Sequence, residues 1–146
     1  MPGTKSARHI VEAVLASYLS SQSELAGVNF YTGDSADTNV LPKAVVLCDS
    51  ASLPNDIPDG LGNYSCGVRV TVFDSADDVT LATHRARCAA IAGAMQDLDL
   101  IQAAFVAGGD ALCYDVTPNS EDEGVNERSW ASVFSYNVLV VVNPQP

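Results

Sequence analysis

No stretch of this 146-residue sequence approaches the ~20 consecutive apolar residues that a membrane-spanning helix needs. Its opening segment, MPGTKSARHIVEAVLASYLSS, interrupts the apolar positions with Arg8, His9 and Glu12, so neither a membrane helix nor a signal peptide is expected. Positive charge is scarce: 7 Lys and Arg stand against 18 Asp and Glu, a formal net charge of −11. Affinity for phosphates comes mainly from Lys and Arg neutralising them, so tight nucleic-acid binding is disfavoured. The same charge keeps a lone subunit soluble, and copies packed together then need apolar or hydrogen-bonded interfaces strong enough to offset their repulsion.

The motifs of several chemistries are missing as well. Neither GxxxxGKS/T nor GxGxxG occurs, and Gly108 with Gly109 reads as a helix stop rather than a phosphate cradle. Histidine is limited to His9 and His84, and neither sits in a recognisable nucleophile–base–acid motif. His84 falls on or near the apolar stripe of its helix, the position of a packed core or boundary histidine. The segments DSADTN and NSEDEGVNE resemble oxygen-rich calcium loops but lack the D-x-D/N-x-D/N-G spacing, so Glu121, Asp122, Glu123 and Glu127 are read as a solvated hairpin tip. No CxxC pair links Cys48, Cys66, Cys88 and Cys113; reduced core thiols are expected, as in a chain folded in a reducing cytoplasm. No enzyme, cofactor or metal is expected.

What is present is a chain with 47% apolar residues, enough for one core that buries roughly two thirds of the unfolded surface. A single domain over residues 1–146 is expected. From Thr4, a plausible N-cap, to about Ser21, apolar residues recur at Ala7, Ile10, Val11, Val14, Leu15, Tyr18 and Leu19, the stripe of a helix. Strands are expected at VNFYT (28–32), at KAVVLCD (43–49) and at YSCGVRVTVFD, where Tyr64, Cys66, Val68, Val70 and Val72 share one face. Asp77 or Asp78 can cap a helix to about Gln96, with Arg85 and Arg87 facing outward, and LDLIQAAFVAGG makes a second helical piece. Two strands with a turn between them follow, ALCYDVTP and RSWASVFSYNVLVVV, the second ending in a run, Val138 to Val142, apolar enough to be covered on both sides. The order α-β-β-β-α-α-β-β predicts an α+β domain with a mixed or antiparallel sheet of about five strands and two main helices on one face.

Two polar segments stand out as candidate interfaces, because loops carry function on a rigid sheet. One is the 50–63 loop, with Asn55, Asp56, Asp59 and Leu61; the other is the 119–127 hairpin tip, with Glu121, Asp122 and Glu123. Trp130, beside Phe134 and Tyr136 at period two, is either an interface anchor or part of the inner face of the sheet.

Taken together, the amphipathic first helix, PKAVVL, the long loop, YSCGVRVTVFD, DDVTLATHRARCAAIAGAM and the closing RSWASVFSYNVLVVV resemble the tail terminator, or tail completion, proteins of long-tailed bacteriophages. The likeness covers nearly the whole chain, and the family is marked by this arrangement rather than by a fixed motif, so no residue is carried over as an invariant site. It implies a structural virion subunit that forms a homo-hexameric ring on the head-proximal end of the tail tube, assembled in the host cytoplasm. Its partners would be the tube protein and a neck or connector protein, with DNA passing through the channel without specific binding. Six copies at −11 carry a formal −66, which suits such a channel. Two alternatives stand beside it: a head–tail adaptor or stopper of the neck, and a cellular ligand-binding α+β module, which would show a pocket with convergent polar groups.

Overall fold

The computed structural model describes residues 6–33, 40–52, 63–126 and 128–142. In chain order it contains α1 (Ala7–Ser20), a 3-10 turn (Ser23–Leu25), β1 (Asn29–Thr32), β2 (Lys43–Ser52), β3 (Asn63–Ser75), α2 (Leu81–Met95), α3 (Leu98–Gly108), β4 (Ala111–Asn126) and β5 (Ser129–Val142). The strands form one five-stranded sheet in the order β1-β2-β3-β5-β4. β1 runs parallel to β2, and the other pairs are antiparallel. This is the mixed-sheet α+β architecture and the element order expected from the sequence.

Period-two alternation builds the core. Ala44, Val46 and Cys48 on β2, Cys66, Val68, Val70 and Val72 on β3, and Phe134, Tyr136, Val138 and Val140 on β5 are all buried. The helices answer with Ile10, Val11, Leu15 and Leu19 from α1, Cys88, Ile91 and Met95 from α2, and Ile101 and Phe105 from α3. Each large apolar side chain removed from water contributes about 1.5–3 kcal/mol, so this one layer of contacts is the main source of stability. The four cysteines are free and buried, as expected of core thiols.

The opposite face of the sheet carries Val45, Leu47, Thr71, Phe73 and Val133, all half-buried. Leu139 and Val141 belong to this face and are also half-buried, so the apolar end of β5 is covered on one side only. Their partial shielding comes from flanking strands, because Leu139 lies between Ser65 and Asp115, and Val141 between Asn63 and Leu112.

Helix boundaries follow local hydrogen bonding. Ser6 caps α1 by accepting from His9 N at 3.2 Å; Thr4, the expected cap, lies outside the described residues. Thr80, not Asp77 or Asp78, caps α2 by accepting from Thr83 N at 3.2 Å. The reason is a turn: the N–H groups of Asp78 and Val79 both bond to Ser75 O, so the chain cannot enter the helix until Thr80. Asp97 caps α3, and Gly109, at φ 78°, ends it in the left-handed conformation that glycine adopts without a Cβ clash.

Residues 119–126 of the expected 119–127 hairpin tip are instead strand, since β4 pairs with β5 from Ala111 to Asn126, and Glu127 lies outside the described residues. An edge strand that is polar on both faces has no alternation to betray it.

Candidate interaction surface

β4 forms one edge of the sheet, and from Thr117 to Val125 its side chains are exposed. It holds the features that keep an edge from pairing with foreign strands: register shifts at Cys113/Asp115 and Pro118/Ser120, a proline without an N–H, and consecutive charges at Glu121, Asp122 and Glu123. Glu121 and Glu123 lie opposite Phe134 and Ser132 and so share the helix side, whereas Asp122, opposite Val133, faces the other way. Glu123 is held in a two-pronged ion pair by Arg85 of α2, with Nε to Oε2 at 3.1 Å and Nη2 to Oε1 at 2.8 Å. That pairing lowers the Glu123 carboxyl below its ordinary range.

Trp130 is half-buried, and its indole N–H donates to Val79 O at 3.2 Å, pinning the turn that precedes α2. Asn55, Asp56, Asp59 and Leu61 lie outside the described residues. The structure therefore brings Glu121, Asp122 and Glu123 together on one edge and places Trp130 at the end of the neighbouring strand.

Beneath Arg85 lies a buried polar cluster. His84 Nδ1 is 2.6 Å from Asp74 Oδ2, and its Nε2 is 2.9 Å from Ser132 Oγ. Arg87 Nη1 donates to the second Asp74 oxygen, and Cys88 Sγ lies 3.5 Å from Nε2. Burial pushes the His84 imidazole below its ordinary value, so the ring is neutral at pH 7: Nδ1–H donates to the Asp74 carboxylate and Nε2 accepts the Ser132 hydroxyl. Acid, base and hydroxyl thus stand in the order used by nucleophilic hydrolases. Yet Asp74 and His84 are 0% exposed and Ser132 2%, which leaves no room for a substrate at the serine. What the arrangement does is tie α2 to β3 and β5 with every polar group partnered.

The packed position of His84 accords with its place on the helical stripe, whereas Arg87 turns inward to Asp74 rather than outward. Asp74 and Ser132 were invisible as members of a cluster. The available signal was phase: Asp74 continues the Cys66–Val72 alternation, and Ser132 precedes Phe134 and Tyr136 at the same spacing. Two polar residues in core register opposite a helix-stripe histidine mark a buried network.

No family model and no curated protein matches the chain. Among solved structures, the chain is similar to one described as "Virion of native gene transfer agent (GTA) particle", with a TM-score of 0.61 and 14% identity over 90% of this chain and 94% of that chain. At that identity the likeness is one of fold.

Proposed function

We propose that the chain is a structural subunit of a phage-like particle, and within it the tail terminator, a ring that caps the tail tube and joins it to the neck. The observation that carries this reading is the near full-length similarity of fold to a chain of a gene transfer agent virion. The element order described above supports the narrower role. The sealed Asp74–His84–Ser132 cluster favours a structural protein over a hydrolase, since a nucleophile that meets no substrate does no chemistry.

In this reading the subunit works in the virion after assembly in the host cytoplasm, six copies closing a ring by head-to-tail contacts. The formal −66 of such a ring lets DNA pass without sticking; a ring with a basic channel lining would contradict that part. The acidic edge at Glu121 and Asp122, and the 50–63 segment with Asn55, Asp56, Asp59 and Leu61, are the proposed contacts with tube or neck.

Electron microscopy of the purified protein mixed with phage tail tubes tests the proposal. Sixfold density at the tube end is the expected result. Bare tubes beside a monomeric protein would overturn it and favour an adaptor, a stopper or a ligand-binding module. Because residues 121–124 belong to β4, their deletion would shift its pairing with β5. Charge reversal, Glu121→Lys with Asp122→Lys, probes the edge without that damage, and reduced tube capping is expected from it.

A further inference from the structure

Next to the Arg85–Glu123 pair a groove of about 440 Å³ lies between α2 and β4, with Ala92, Met95 and Gln96 on the helix side and Pro118, Ser120 and Glu121 on the strand side. Phe134 and Tyr136 form its floor, only 3% and 5% exposed.

Two groups in this groove lack what their counterparts elsewhere possess. Tyr18, the other buried tyrosine among the described residues, donates its hydroxyl to Ala94 O at 2.7 Å. The Tyr136 hydroxyl has no hydrogen-bond partner among the described residues. Burial, and then the nearby Glu121 carboxylate, push its pKa up to about 12, so at neutral pH it is a donor without an acceptor. Likewise α2 supplies Arg85 for Glu123 but only Ala92, Met95 and Gln96 near Glu121, whose carboxylate has no ion-pair partner among the described residues. A buried donor left unmade is costly and uncommon in native folds. Here it sits in an open groove beside an uncompensated charge, over an aromatic floor.

We infer that this groove docks an extended segment of a partner protein bearing a lysine or arginine. The aliphatic stem of that residue lies over Phe134 and Tyr136, its cation meets Glu121, and a backbone carbonyl of the segment accepts the Tyr136 hydroxyl. Charge decides the occupant: the groove offers a carboxylate and no cation, on a chain whose net charge is −11, so an acidic or neutral segment gains nothing at Glu121. An apolar stem with a charged tip is the side-chain shape that an apolar floor with an acidic rim accommodates. The inference does not require a ring and stands or falls apart from the terminator reading.

The test is a nuclear magnetic resonance titration of the full chain with the acetylated, amidated pentapeptide Val-Lys-Val-Lys-Val and with its glutamate counterpart. Saturable shifts of the backbone amides of Gln96, Ser120, Glu121 and Tyr136 with the lysine peptide alone are expected. Glu121→Gln should weaken binding by about 3- to 5-fold, and Tyr136→Phe by about 3- to 10-fold. Tyr136→Phe should also leave the thermal midpoint of the free protein unchanged or higher, an outcome a purely structural tyrosine would not give. Absent shifts, shifts centred elsewhere, or equal response to the glutamate peptide would overturn the inference. So would groove shifts that follow protein concentration without peptide, which would assign the groove to a second copy of the chain. Peptide binding together with bare tail tubes would keep this inference and remove the terminator reading.

Discussion

The two ends of α2 meet the same sheet in opposite ways. At its N-terminal half, His84, Arg87 and Cys88 close over Asp74 and Ser132, and each buried polar group finds a partner within 3.5 Å. At its C-terminal turn, beside Ala92, Met95 and Gln96, the same β5 strand presents a tyrosine whose hydroxyl has none among the described residues. The first end is finished within the subunit. The second is left incomplete, and a fold that completes one network two turns away shows that incompleteness is not forced by the architecture. The contrast separates what holds the chain together from what it offers to others.

The sharpest way to break the contrast is to open the closed end. Asp74→Ala strands the Arg87 guanidinium and the His84 N–H without an acceptor, and a loss of about 3–5 kcal/mol is expected in chemical denaturation. A loss below about 1 kcal/mol would mean that the cluster is not the tie between α2 and the sheet.

The next largest effect belongs to the open end and to alkaline pH. Burial pushes the Tyr136 phenol up to about 12 in the folded protein, against an ordinary value of 10.0. Between those values the unfolded chain has released its proton and the folded chain has not, so stability present below pH 10 is lost as pH rises. The loss should reach about 2–3 kcal/mol, and Tyr136→Phe should abolish that part of the pH profile. Equal profiles for the two proteins would show that the phenol is not desolvated.

Smaller again is Ser132→Ala, which removes the donor to His84 Nε2 but leaves the weak Cys88 thiol within reach. A cost of about 1–2 kcal/mol is expected by the same denaturation. Least of all is Glu123→Gln. Its ion pair with Arg85 lies at the surface, with side-chain exposures of 35% and 61%, and the thermal midpoint should move by less than about 2 °C. A larger shift would place that pair with the closed cluster rather than at its solvated rim.

Alternation in β3 and the helical stripes of α1 and α2 are imposed by the single buried face, so the α+β order is legible from the residues alone. The identity of β4 beyond Pro118 is not, because hydrogen bonds to β5, rather than side-chain burial, make Asn119 to Val125 a strand. His84 was legible as a core residue, but its partners lie 10 and 48 positions away, and only the sheet register unites them. The orphan phenol was beyond reach as well: Tyr136 reads as one more inner-face aromatic until the space above it is known.

The place of β5 has a consequence for how the molecule is made. β5, which follows β4 in sequence, lies between β3 and β4, so a nascent polypeptide that has reached Asn126 still lacks the strand that joins those two. Neither Phe134 nor Tyr136 is yet there to floor the helices, and Asp74 and His84 wait for Ser132. β5 therefore acts as a keystone, and a product that stops short of it leaves β4 unpaired, one edge of β3 bare and the core half-built, the species that aggregates or is degraded. A subunit whose sheet closes only when β5 slots home cannot offer a settled β4 edge to an assembly before that strand is in place.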